Sequence, residues 1–158
     1  MDTPRHAAHI IPAGEWLSPL QSGTVTLIYA DRCRRRIRLL DDAGAPFLLD
    51  LTRPARLADG DGLVLGDGTI IRVVAAPEPL IEAIAKDALH LARLAWHVGN
   101  RHVAAQIVDD RRLRIAHDSV LQEMLRGLGA ETQGITAPFH PEGGAYATLA
   151  AGHNHGHD

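Results

Sequence analysis

The side chains in this sequence best suited to chemistry are histidines, ten in 158 residues. Three of them, His153, His155 and His157, fall in the closing stretch GHNHGHD. His97 and His102 bracket a Gly-Asn pair in WHVGNRH, and His117 follows the run LRIA. Neutral imidazole suits nickel, copper and zinc. A His-x-His-x-His end offers three imidazoles that no core has to bury. An affinity tag is normally an unbroken run of histidine, and Asn154 and Gly156 interrupt this one. The stretch therefore reads as a metal-binding arm, with an idle polar end as the alternative. His97 and His102 are five apart, so they do not share one helical face. Taken singly, His97, His102 and His117 are each most simply explained by a hydrogen-bonded surface or half-buried position. His6, His9, His90 and His140 read in that ordinary way.

Other chemistries lack their residues. There is no G-x-x-x-x-G-K-[ST] loop, no G-x-S-x-G elbow and no H-E-x-x-H pair, and the acidic residues form no helix-spaced pair suited to acid–base work. No enzyme is expected. A single cysteine, Cys33, rules out a disulfide within the chain and argues against a thiolate zinc site; it is expected to pack as a small hydrophobe. The net charge of -3 makes no general case for nucleic acid. One basic run, Arg32-Cys33-Arg34-Arg35-Arg36-Ile37-Arg38, alternates like an edge strand. It is a solvated face or a contact for an acidic partner, and it lacks the interleaved aromatics of a nucleic-acid surface. No segment approaches the roughly 18 apolar residues of a membrane helix, and the N-terminus lacks the apolar run of a signal peptide. A cytoplasmic protein is expected.

The elements that must carry these histidines fall into two kinds. Up to Ala76 the chain reads as a small all-β domain, sandwich or barrel-like. Strands are expected at Thr24–Tyr29, Arg34–Leu40, Phe47–Leu51, Leu63–Leu65 and Thr69–Val74, separated by Asp/Gly turns. Pro77-Glu78-Pro79 biases the chain toward an extended, linker-like form. A strand then follows at Leu80–Ala85, and a helix capped by Asp87 runs to Val98 and stops at Gly99-Asn100. A hairpin pairs Val103–Val108 with Leu113–Ala116. Asp118 or Ser119 caps a second helix, with Ser119-x-x-Gln122 fitting a capping box. Gly127 and Gly129 end that helix, and Glu131–Thr136 is a last strand. The fold class is therefore α+β, an all-β domain followed by a ferredoxin-like β-α-β-β-α-β domain. The expected division is residues 1–76, 77–138 and a flexible His-containing tail, 139–158.

Three stretches together resemble one family. WHVGNRHVAAQ resembles the H-x-G-N-R-H segment of the UreE family, urease accessory proteins that carry nickel to apo-urease. PFHPEGGAY resembles that family's F-x-P-E-x-G-A-Y segment, which leads into a His-rich C-terminus as it does here, and the β-rich first half closing in VVAAPEPLIEAIA is also similar. The resemblance implies a peptide-binding-like first domain and a metal-binding second domain that forms a homodimer. It implies that His102 meets its symmetry mate and shares a metal, that His97 has a less direct role, and that His117 holds a position that adds a ligand in some members. Where some members carry a further histidine two residues on, this chain has Ser119.

The resulting expectation is a homodimeric Ni(II) metallochaperone. His102 is the core ligand, His153, His155 and His157 are the capture arm, and His97 and His117 are secondary. The expected partners are apo-urease and a urease maturation complex with its GTPase accessory protein; nucleic acid and membrane are not expected. About ten residues separate Gly143 from His153. A Gly-rich link of that length spans roughly 17 Å, which gives millimolar-scale effective concentration at its root. The rivals are a general Zn(II), Cu(II) or Ni(II) buffering protein, since the affinity order alone favours copper, and a peptide-binding or RNA-binding module without metal delivery.

Overall fold

The computed structural model describes residues 5–144. His153, His155 and His157 lie outside the described residues. The chain divides into two units, Met1–Glu78 with Thr136–Phe139, and Pro79–Ile135 with His140–Asp158.

In the first unit the strands are β1 (Arg5–Ile11), β2 (Gln21–Leu27), β3 (Arg36–Leu40), β4 (Pro46–Asp50), β5 (Gly62–Leu65) and β6 (Ile70–Ala75), with a one-turn helix α1 (Tyr29–Arg32) between β2 and β3. They form one mixed sheet in the order β2-β6-β5-β1-β4-β3. Alternation along the strands sends Ala7, Val25, Leu49, Leu63, Ile71 and Val73 into a shared core, each at most 1% exposed. A fully buried leucine there contributes about 2 kcal/mol through removal of apolar surface from water. Asp42, just past β3, accepts hydrogen bonds from the hydroxyls of Thr24 and Thr26 on β2, and its N–H donates to the Thr24 carbonyl. The two outermost strands thus meet at one end, and the sheet curls around its core. Arg5 donates to the buried Asp41 at 2.7 Å; that bond, opposed by burial and helped by the N–H groups of Ala45 and Ala43, holds the Asp41 carboxyl below the usual carboxylate range.

Several sequence expectations need correction here. β1, a central strand, lies in a stretch that signals no strand in the sequence. The strand expected to reach Tyr29 ends at Leu27, because Tyr29 opens α1, where its N–H donates to the Glu78 carboxylate at 2.8 Å. The basic run is not one alternating strand. Arg32 ends α1 and is 2% exposed, and β3 begins only at Arg36. Burial pushes the Arg32 pKa down, against Glu78 and other nearby negative groups. Its guanidinium donates to the carbonyls of Leu57 and Phe139 and lies 5.5 Å from the Tyr29 ring centre, while its Nε has no partner among the described residues. Phe139 in turn meets the Tyr29 ring edge-on, 5.2 Å between centres. Cys33 is exposed rather than packed.

The second unit contains β7 (Pro77–Ile84), α2 (Ala88–Asn100), β8 (Gln106–Ile107), β9 (Arg112–Ala116), α3 (Ser119–Gly127) and β10 (Glu131–Pro138), with strand order β10-β7-β9-β8. The prolines at 77 and 79 do not form a separate linker. They begin β7, ahead of Leu80, where pairing with β9 starts and backbone N–H donors are needed. β9 runs antiparallel to both β7 and β8, so β7 and β8 run the same way with α2 as their crossover. Leu91, Leu94 and Val98 of α2 and Leu125 of α3 pack on Ile81, Ala83, Leu113 and Ile115 of the sheet.

Asp87 caps α2 by accepting from the His90 N–H, and Asp118 caps α3 by accepting from the Leu121 N–H. Asp118 therefore displaces Ser119 as the cap, and Gln122 does not complete a capping box: its side chain donates to Thr132. The strand expected over 103–108 shrinks to Gln106–Ile107. On the sheet face away from the helices, Glu82 is 3% exposed and takes hydrogen bonds from Arg114 at 2.8 Å and Gln133 at 2.9 Å. Burial pushes this carboxyl up, but those bonds and the Arg114 and Arg112 charges outweigh it and leave it below the usual range. The face is thus a neutralised polar network without aromatic rings.

Candidate metal centre

The topology of the second unit collects His97, His102 and His117 at one end of its sheet. α2 starts beyond the end of β7 and runs back, so its C-terminal turn, with His97, lies at the end where β7 and β8 begin. His102 lies in the connection from α2 to β8. β9 finishes at the same end, where the His117 N–H donates to the Pro79 carbonyl. His102 and His117 are exposed and His97 is half-buried, its ring meeting Trp96 edge-on at 5.0 Å. No hydrogen bond reaches the three imidazoles among the described residues. Nor do those residues contain any cluster of three or more His, Cys, Asp or Glu able to hold a metal. One copy of residues 5–144 brings the three histidines to one end without joining them into a site.

The backbone at His102 is unusual. α2 does not stop at Gly99-Asn100; both residues are helical, and the reversal comes at His102, whose φ is 55°. The His102 N–H donates to the Gly99 carbonyl at 3.0 Å and the Val103 N–H to the Val98 carbonyl at 3.5 Å. This is the paired reversal that commonly ends a helix, with the left-handed residue usually glycine. Histidine in that conformation costs on the order of 1 kcal/mol, and such costs cluster at functional positions. The result is an imidazole projecting from the tip of α2.

His90 shows the contrary case. Its Nδ1 accepts from the Lys86 N–H at 3.0 Å and its Nε2 lies 2.8 Å from the Leu128 carbonyl, to which it must donate. One neutral tautomer satisfies both bonds, and neither nitrogen is left for a metal. His6 approaches Asp50 at 3.4 Å, and the backbone N–H of His140 donates to Gln106.

The tail expected to be flexible from residue 139 is, at residues 140–142, stitched to the strand following His102. The His140 N–H donates to the Gln106 side chain, the Glu142 N–H donates to the Ala105 carbonyl at 2.8 Å, and the Glu142 carboxylate accepts from the Ile107 N–H. Ala105 is three residues beyond His102. The chain therefore leaves the described region beside the loop that carries His102. The signal in the sequence was Glu142 itself, a carboxylate two residues from a histidine in an otherwise Gly/Pro stretch, but its partner is 35 residues away.

Family models described as the N-terminal and C-terminal domains of the UreE urease accessory protein match residues 7–76 and 78–158. Among curated relatives named urease accessory protein UreE, one from Rhodopseudomonas palustris (strain HaA2) is 51% identical over 140 residues, covering 89% of this chain and 64% of its own length. One from Chelativorans sp. (strain BNC1) is 52% identical, covering 84% of each. One from Beijerinckia indica subsp. indica is 44% identical over 94% of this chain and 84% of its own length. The chain thus spans about two thirds of the Rhodopseudomonas relative and most of the other two. With both halves matched in order, the chain belongs to the UreE urease accessory protein family.

Proposed function

We propose that this protein is a cytoplasmic nickel metallochaperone that serves urease maturation, working as a homodimer whose second, ferredoxin-like domain carries the metal. The β10-β7-β9-β8 order with two crossover helices supports that reading of the domain. The proposed division keeps residues 1–76 as the partner-binding domain, 77–138 as the metal and dimer domain, and 139–158 as the tail. The observation that carries the proposal is the hydrogen bond that ties the tail's root to Ala105, three residues from an exposed His102 whose ring has no hydrogen-bond partner among the described residues. One imidazole is a poor site, but a two-fold axis doubles every ligand near it. Two His102 rings would start a shell, His97 and His117 at the same end would assist, and His153, His155 and His157 would complete and release it. Exchangeable ligands of this kind suit handing Ni(II) to apo-urease through a GTPase-containing complex better than a closed structural site does.

Nickel titration of the full chain, of His102→Ala and of a chain cut after Gly144 tests the proposal. Loss of the tightest site in His102→Ala and a lower stoichiometry in the shortened chain are expected, with both forms still dimeric in sedimentation. Unchanged nickel affinity in His102→Ala overturns the shared site. A preference for Cu(II) or Zn(II) in cells expressing the protein would instead favour general metal buffering.

A further inference from the structure

β3 is the outermost strand at one edge of the first unit's sheet. The Leu51 N–H donates to the Arg35 carbonyl and the Asp41 N–H to the Ala45 carbonyl, with Ile37 opposite Leu49 and Leu39 opposite Phe47. Residues 35, 37, 39 and 41 thus turn their backbone polar groups toward β4. In an antiparallel pair the intervening residues face the other way, so the N–H and C=O groups of Arg36, Arg38 and Leu40 point away from β4; the edge is open along Arg36 and Arg38 and meets β2 only past Leu40, at Asp42. The side chains of Arg36, Arg38 and Leu40 lie together on the solvent face, with Leu40 62% exposed. Arg36 approaches Asp50 at only 3.9 Å, and Arg34 and Arg38 have no ion-pair partner among the described residues. Beside them Arg38, Pro46, Phe47 and Leu48 line a cleft of about 280 Å³.

We propose that this edge docks an acidic, extended segment of a partner protein, which adds to the sheet as a strand outside β3. Main-chain hydrogen bonds to Arg36, Arg38 and Leu40 would supply affinity, and side-chain pockets would supply the choice of sequence. Carboxylates of the guest sit opposite Arg36 and Arg38, and an apolar side chain enters the cleft by Leu40. Exposed strand edges are commonly blunted by charge. Here the charge has one sign, so it opposes pairing with a second copy of the same strand, where arginine would face arginine, and it favours an acidic guest. Nucleic acid fits less well, because Phe47 is buried and no exposed aromatic ring flanks the strand. The proposal rests on the reading of residues 1–76 as the partner-binding domain and does not depend on metal handling.

The test uses the full chain and a fluorescent peptide alternating glutamate with valine. Binding that weakens with added salt is expected, together with slower amide exchange at Arg36, Arg38 and Leu40. The charge reversal Arg36→Glu/Arg38→Glu is expected to weaken binding on the order of tenfold or more. Arg38→Pro removes an outward N–H at an edge that tolerates proline, and it is expected to weaken binding severalfold while Arg34, Arg35 and Arg36 remain. Circular dichroism establishes that each variant is folded; if Arg38→Pro does not fold, the exchange measurement on the unaltered chain decides alone. Equal affinity for a lysine–valine peptide, tighter binding of an oligothymidylate, or unchanged exchange at the three amides overturns the proposal.

Discussion

Two helix ends in the second unit are built alike and differ in one residue. At the end of α3 the Gly129 N–H donates to the Arg126 carbonyl and the Ala130 N–H to the Leu125 carbonyl, with Gly129 at φ 88°. At the end of α2 the same pair of bonds forms, but the left-handed residue is His102. α3 uses the residue that reverses a chain at no steric cost. α2 uses one that resists the conformation and gains an imidazole at the tip. A helix end needs only glycine, and the left-handed histidine at 102 is the kind of outlier that motivates a test for function.

Exchanging residues between these two ends separates the roles. The largest effect is expected on metal. His102→Gly should lower the tightest nickel affinity on the order of a hundredfold, about 2.7 kcal/mol, in a competition titration. An affinity within twofold of the original would remove His102 from the site. Next comes Gly129→Ala. An added methyl meets only Lys86 Nζ at 3.5 Å and the His90 ring at 3.8 Å, ordinary contacts, so its cost is conformational, about 1–2 kcal/mol in urea unfolding. Nickel affinity should not move. The gain from His102→Gly in the same unfolding experiment is expected to be smaller, about 1 kcal/mol of added stability. A loss of stability there would mean that the ring packs in a way the comparison misses.

The smallest effect is that of mild acid on stability. Glu82 and Asp41 have carboxyls held below their ordinary range in the fold. The stability they contribute is complete above the unfolded-chain pKa and is lost only as pH falls through the lower folded values, so the urea midpoint should hold from neutrality to about pH 5 and drop below about pH 4. Nickel release in that upper window then reports protonation of ligands, which must be neutral to bind, rather than unfolding.

Local signals were legible. Asp87 and Asp118 stand where caps belong, ahead of runs with the right apolar spacing, and Asp109 closes the β8–β9 turn by accepting from the Arg111 N–H. What depended on distant partners was not. The run from Arg32 to Arg38 looks uniform by charge, yet Arg32 is buried because two carbonyls far along the chain receive it. β1 was missed because Arg5-His6-Ala7-Ala8-His9 carries little apolar contrast, and only its place between β4 and β5 makes it a strand. For the site, the positions of the histidines could be read but not their freedom. Nothing in the residue types tells that His90 has both nitrogens engaged while, among the described residues, His102 has neither.

The buried guanidinium of Arg32 also sets a timetable. Its acceptor at Phe139 lies 107 residues downstream, and Thr136–Phe139 belong to the first unit although the whole second unit's helices and hairpin are made between. On a ribosome, the first unit cannot satisfy this charge until Phe139 has emerged. Residues 5–78 therefore cannot complete their own packing before residues 136–139 are made.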